Sequence, residues 1–345
     1  MKTVINTEEK TIFFSFEDFK AKIVEGNCCF ICGAEASSKE FNDEHIIPNW
    51  VLHRFGLHKK RITLPNGTKF NYGQYKIPCC KDCNSKLGET FEVPISELLK
   101  KDFVDIRKEL SDDREKAALL FNWLALIFFK THLKDRTLEM NRDKRFNDGK
   151  IGDHHYWEDM HHIHCLIRSF YTGAEISPEV YGTMLIFPIA DFEHDNLFDY
   201  IDTPYGKVAM IRIGSFCMII VIDDCRGSLN VWNDLRKLKG SLNSYQIREI
   251  IAHLNAININ LKNRPAFKSL IRDNGEGKYT IFAQLPPLWE LKEEQTVIED
   301  RSFLLHHYIS IKVELNDHNL KVLQEIKMGH YSFLFNERGE FLSNE

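Results

Sequence analysis

The chain has 345 residues, enough for two domains, and is 43% apolar, 12% aromatic and 28% charged. That balance excludes long disorder, and a net charge of −5 excludes a uniformly basic coat for nucleic acid while leaving room for a local basic patch. No apolar run reaches the roughly 20 residues of a membrane span, and the opening MKTVINTEEK lacks the apolar stretch of a signal peptide, so a cytoplasmic protein without a membrane partner is expected.

In chain order, residues 11–26 predict a short strand or hydrophobic staple followed by a helix capped by Ser15. Residues 27–93 are punctuated by Cys, Gly, Pro and Asn, as in a small metal-stapled module. Residues 94–133 read as helices; the second is expected to open at Ser111, with Asp112 and Asp113 at the positive end of its dipole. Its apolar residues run almost all round, which predicts a core helix. A polar stretch, 134–160, reads as a loop or hinge.

From residue 161 the pattern turns to β: HHIHCLIRSFY, YGTMLIFPIA, then KVAMIRIG and SFCMIIVIDD sharing a turn at Gly214. Ile247, Ile250, Ile251, Leu254, Ile257 and Leu261 recur at helical spacing. YTIFAQL and YISIKVEL read as strands, and Arg338-Gly339 as a hairpin turn. The expected architecture is α+β: a zinc-stapled module over 1–100, a helical connector with a polar loop over 101–160, and a mixed α+β domain over 161–345.

Disulfides are disfavoured in a reducing compartment, so nine cysteines need another explanation. Cys165, Cys217 and Cys225 have no ligand spacing and read as core residues. Cys29-Phe-Ile-Cys32 and Cys80-Lys-Asp-Cys83 form two CxxC turns, each aiming two thiolates at one point, which together complete a tetrahedral site for Zn²⁺. Gly33 and Asn84 follow the two knuckles and tolerate their tight backbone. Cys28 and Cys79 leave a CxxxC register open, which knuckles use less often. Four thiolates leave no position for substrate, so the zinc is expected to be structural.

Between the knuckles lies Asp43-Glu44-His45-Ile46-Ile47-Pro48, and the second knuckle continues as Cys83-Asn84-Ser85-Lys86. This order of CxxC, acid-His and CxxCN resembles the HNH (His-Me finger, ββα-metal) endonucleases over about residues 27–93. The resemblance implies hydrolysis of phosphodiester bonds, on DNA rather than RNA. It implies His45 as general base, with Glu44 and Asn84 as ligands of a catalytic Mg²⁺ or Mn²⁺. Histidine titrates near neutrality and suits a base; carboxylate and amide oxygens suit Mg²⁺, which keeps most of its waters. The zinc is then expected to pin strand to helix so that His45 and Asn84 face each other.

The family's middle Asn is missing: nine residues before Asn84 stands Tyr75, with Asn66, Asn71 or Tyr75 itself as stand-ins. Asp43 competes with Glu44 for the ligand role. Glu92, two helical turns beyond Asn84, either reaches the metal through water or is a helix-surface or inter-element contact; the second is expected, because roughly 12 Å separates the two positions along a helix. From Arg54 to Lys81 there are seven basic residues (Arg54, Lys59, Lys60, Arg61, Lys69, Lys76, Lys81) and no acid. Beside a nuclease motif, that stretch predicts a sequence-independent grip on the phosphate backbone. His154, His155, His161, His162 and His164 show no recognised ligand spacing and read as surface or core residues.

The remainder of the chain is expected to recognise a target, sense a regulatory ligand or partner, or form a homo-oligomer. A bacterial defence or restriction-like effector is the setting the resemblance implies. The alternative is a non-catalytic zinc protein that binds DNA or RNA on the same scaffold.

Overall fold

The computed structural model describes residues 2–190, 197–272 and 278–344, and its architecture is mixed α+β. The chain divides into two compact units: residues 1–180 with 267–282, and residues 181–266 with 283–345. The expected boundaries at 100 and 160 both fall inside the first unit.

The first unit opens with β1 (Val4–Ile5) and β2 (Thr11–Phe13) and continues through α1 (Phe16–Asp18) into a π-helical turn, Phe19–Val24. Ser15 caps α1, its Oγ accepting from Asp18 N at 3.0 Å. Then come β3 (Phe41–His45), α2 (Asn49–Arg54), β4 (Arg61–Thr63), β5 (Lys69–Asn71) and β6 (Lys76–Cys80). β3 and β6 pair antiparallel, with Phe41 opposite Cys80 and His45 opposite Lys76, and β4 and β5 form a second hairpin between them.

The chain leaves β6 directly into α3 (Lys81–Leu87), a π turn (Gly88–Glu92) and α4 (Val93–Leu98). α5 (Phe103–Asp112) and α6 (Arg114–Asp135) follow. The cap of α6 is Asp113 rather than Ser111: its Oδ1 accepts from the N–H groups of Glu115 and Lys116, both at 3.0 Å. Ser111 instead sits inside α5 and donates to Arg107 O, the back-bonding that hydroxyls adopt within helices. Every residue of α6 from Leu120 to Leu133 is buried, as an all-round apolar helix must be.

HHIHCLIRSFY is not a strand. It belongs to α7 (Trp157–Ile167) and α8 (Ser169–Thr172), followed by β7 (Glu175–Ile176). Trp157, Met160, Ile163, His164 and Ile167 are buried at helical spacing, and Glu158 and Asp159 sit at the positive end. A window beginning at His161 cuts off the first turn and leaves a false alternation.

The second unit contains an antiparallel sheet ordered β8-β11-β10-β9: β8 (Thr183–Pro188), β9 (Phe198–Thr203), β10 (Val208–Ile213) and β11 (Phe216–Val221). The last two are buried along their whole length and turn at Gly214, whose φ is +63°. α9 (Gly227–Val231) and α10 (Ser244–Ile259) follow, the latter opened by a capping box between Asn243 and Gln246. Residues 267–282 belong to the first unit: there β12 (Ala266–Arg272) and β13 (Lys278–Gln284) form a sheet with β7, which β13 joins in parallel.

α11 (Glu294–Ser310) and α12 (Asp317–Lys327) complete the second unit. The predicted strand YISIKVEL is instead the last three residues of α11 followed by a turn: Ser302, Leu305, Tyr308 and Ile309 are buried at helical spacing. α10, α11, β10 and β11 share one apolar core. Among the described residues, no helix is long and apolar enough to cross a membrane.

Candidate functional site

The two CxxC turns meet. The Sγ atoms of Cys29, Cys32, Cys80 and Cys83 all lie within 4.8 Å of one another, an arrangement that could hold a metal ion. In the first knuckle Gly33 N donates to Cys29 O and Cys29 N to Ala34 O, both at 2.8 Å. Gly33 takes φ +76°, and a Cβ there would stand 2.6 Å from the Phe14 ring, so both the backbone and the packing require glycine. The second knuckle spans the junction of β6 and α3.

The thiols depend on one another. Hydrogen bonds from Cys32, Cys79 and Cys83 hold the Cys29 thiol far below its ordinary pKa. The bond to Cys29 pushes Cys83 far up and Cys32 up to about 12. One thiolate is thus stabilised by the protons of its neighbours; a divalent cation would supply the charge to hold all four deprotonated, which is the chemistry of a structural zinc site. Cys79 stands beside the cluster, its Sγ 3.8 Å from that of Cys29.

Helix α7 braces the first knuckle from behind. His164 Nε2 lies 2.7 Å from Phe30 O, and Arg168 bonds the carbonyls of Ile31, Ile12 and Thr11. His161 bonds Phe14 O at 2.9 Å, and the His162 ring stacks on Phe267 at 3.7 Å. These histidines therefore go to separate partners within the unit.

The β3 pleat sends Asn42 and Glu44 to one face and Asp43 and His45 to the other. Asn84, on the first turns of α3, donates its Nδ2 to Asn42 Oδ1 at 2.9 Å. Asn42 lies two residues before Glu44 in β3, so the Asn84 amide meets that strand one pleat repeat away from Glu44. Glu44 is buried, and its Oε1 receives Lys130 Nζ of α6 at 2.5 Å. Glu92, expected as a surface or inter-element contact, is half-buried. Burial and the Glu44 charge push its carboxyl up to about 7.

His45 is half-buried beside Lys76, its register partner. Burial first, then the Lys76 charge, hold its imidazole below the ordinary range, with Glu44 opposing. The His58 ring lies edge-on to it, centroids 6.2 Å apart, and His53 packs on His58 at 4.6 Å. Two of the three stand-ins for the middle Asn are used elsewhere: Tyr75 Oη donates to Asp135 Oδ1 at 2.6 Å, and Asn66 Nδ2 to Glu139 O at 2.9 Å, while Asn71 ends β5.

Of the basic residues, Lys59, Lys60, Arg61 and Lys69 are exposed around the β4–β5 hairpin. Arg54 bonds Leu99 O at 2.8 Å, and Lys81 pairs with Glu40 at 3.1 Å, so these two are partly committed.

Two neighbours of the site, Lys130 and His58, were not singled out by sequence. Lys130 had a signal: a lysine one residue past an unbroken apolar run must be buried with a partner. His58 had none beyond its place in the basic stretch. Family models, curated proteins and solved structures were all compared with this chain, and none matches it.

Proposed function

We propose that the first unit is a metal-dependent endonuclease of the HNH type that hydrolyses phosphodiester bonds of DNA. The supporting observation is the convergence of four thiols at the root of a strand–strand–helix unit (β3, β6, α3) that carries Glu44-His45 and Asn84. On this reading Zn²⁺ is held by Cys29, Cys32, Cys80 and Cys83 and has a mechanical role.

Burial and Lys76 lower the pKa of His45, which favours the neutral imidazole that takes a proton from water. Lys76, beside it, offers charge to a phosphate oxygen. Glu44, through Oε2, and Asn84, through Oδ1, are the oxygens that would hold a Mg²⁺ or Mn²⁺. Such an ion supplies charge neutralisation at the scissile phosphate and the departing oxygen. The exposed Lys59, Lys60, Arg61 and Lys69 give affinity without sequence preference.

The test is cleavage of supercoiled plasmid by purified protein with Mg²⁺ or Mn²⁺, beside a His45→Ala control with unchanged zinc content. Nicking by the wild type and none by the variant is expected; equal rates would remove the mechanism. A second reading, a non-catalytic zinc protein that binds nucleic acid, is favoured by one observation: Glu44 already has a protein cation as partner. Plasmid binding without cleavage in either metal would select it.

A further inference from the structure

Lys130 lies within the buried run of α6, Leu120 to Leu133, and is only 1% exposed. A lysine there cannot reach water, so its ammonium must be met inside the protein. Its Nζ lies 2.5 Å from Glu44 Oε1 and 2.7 Å from the carbonyl oxygen of His45. One group thus bonds both members of the acid-His dipeptide, the first through its side chain and the second through its backbone.

The position of these bonds matters. His45 is the last residue of β3, where the ladder to β6 ends. The N–H side of that peptide, on Ile46, donates to Tyr75 O at 3.0 Å, and the bond from Lys130 holds its carbonyl side. The same ammonium engages one oxygen of Glu44 and leaves the other. The rest of α6 around it is packed on all sides, so the lysine head is fixed by a rigid helix rather than by a loop.

We propose that Lys130 is a positioning residue of the candidate site: it fixes the His45 peptide and confines Glu44 to a single oxygen for a divalent cation. The proposal rests on the nuclease reading. It also makes a claim about metal affinity that cleavage alone would not test. An ammonium on the ligand competes with an incoming cation, so removing it should tighten cation binding even as it loosens the base. A lysine present only for packing or folding would do the reverse or nothing.

The experiment uses the full chain with its zinc content verified. Mn²⁺ binding is measured by electron paramagnetic resonance on wild type, Lys130→Met and Lys130→Gln, together with plasmid cleavage kinetics. Lys130→Met is expected to bind Mn²⁺ about tenfold more tightly and to lose about tenfold or more in kcat, with KM for plasmid little changed, the scale of changes in groups that orient metal ligands. Lys130→Gln, which keeps an N–H donor without the charge, should show the tighter Mn²⁺ binding and recover part of kcat.

If Lys130→Met fails to fold because Glu44 loses its buried partner, the Gln variant decides by the same two measurements. Unchanged or weaker Mn²⁺ binding in the folded variants overturns the proposal, as does an unchanged kcat. A wild type that does not cut removes the nuclease reading; the Mn²⁺ comparison then still decides whether Lys130 competes for Glu44.

Discussion

His164 Nε2 lies 2.7 Å from the carbonyl of Phe30, so a helix more than a hundred residues downstream in sequence holds the first CxxC turn. The carbonyl can only accept, so Nε2 carries the proton, and His164 Nδ1 is buried without a hydrogen-bond partner. Protonating that second nitrogen inside the protein is costly, and burial keeps the imidazole well below its ordinary range.

The sign of the pH dependence follows. The folded pKa of His164 is below the unfolded value of about 6.5, so its contribution is complete above that pH and is lost as pH falls through it, by at most about 1.4 kcal/mol per pH unit. His161, also lowered by burial, adds in the same direction. Urea unfolding followed from about pH 7.5 to about pH 5 should show a falling midpoint. His164→Gln, which can still donate to Phe30 O, should have a shallower fall; an equal slope would show that other groups set it.

Zinc should be present at about one ion per chain, and Cys80→Ser should unfold the first unit rather than only slow it, because the binding energy of a structural zinc is folding energy. Elemental analysis and circular dichroism check this. Folded protein free of zinc would overturn it.

Replacing Lys59, Lys60 and Arg61 with Ala should weaken DNA binding to a similar degree for unrelated sequences. The slope of log K against log salt should fall by up to about three, close to one for each phosphate that is no longer neutralised. A titration by fluorescence anisotropy at several salt concentrations gives both numbers. An unchanged slope would place the DNA path elsewhere.

Tyr75→Phe removes a buried bond to Asp135 and should cost about 1–3 kcal/mol of stability. It should leave the cleavage rate of the folded protein near that of the wild type, since the hydroxyl is turned to α6. Loss of kcat without loss of stability would show that Tyr75 orients the base after all.

The parts of this molecule legible in its sequence are those that local spacing decides. The CxxC turns are local, and so are the Gly214 hairpin between β10 and β11, the helical run of α10 and the Ser15 cap. The misread parts depend on partners distant in sequence. α7 looked like a strand because its register is set by what Trp157 and Met160 pack against, outside the window read. The end of α11 failed in the same way. Lys130 looked like the end of an apolar run, since nothing near it in sequence says that Glu44 and His45 wait 85 residues and more away. Asp113 displaced Ser111 because a carboxylate can accept from two amides of the first turn at once.

The first unit's stitching decides how portable the candidate site is. The expected module ended at residue 100, yet Lys130, Asp135, His164 and Arg168 all bond residues before that point. A chain cut there would keep all four cluster cysteines and every candidate ligand, and would lose the groups that satisfy the buried Glu44, Tyr75 and both inner carbonyls of the first knuckle. Grafting residues 27–93 onto another protein would therefore transplant the motif without its anchorage. The smallest fragment that preserves those bonds runs through α7 to Arg168, and it is from there that any trimming for domain exchange should begin.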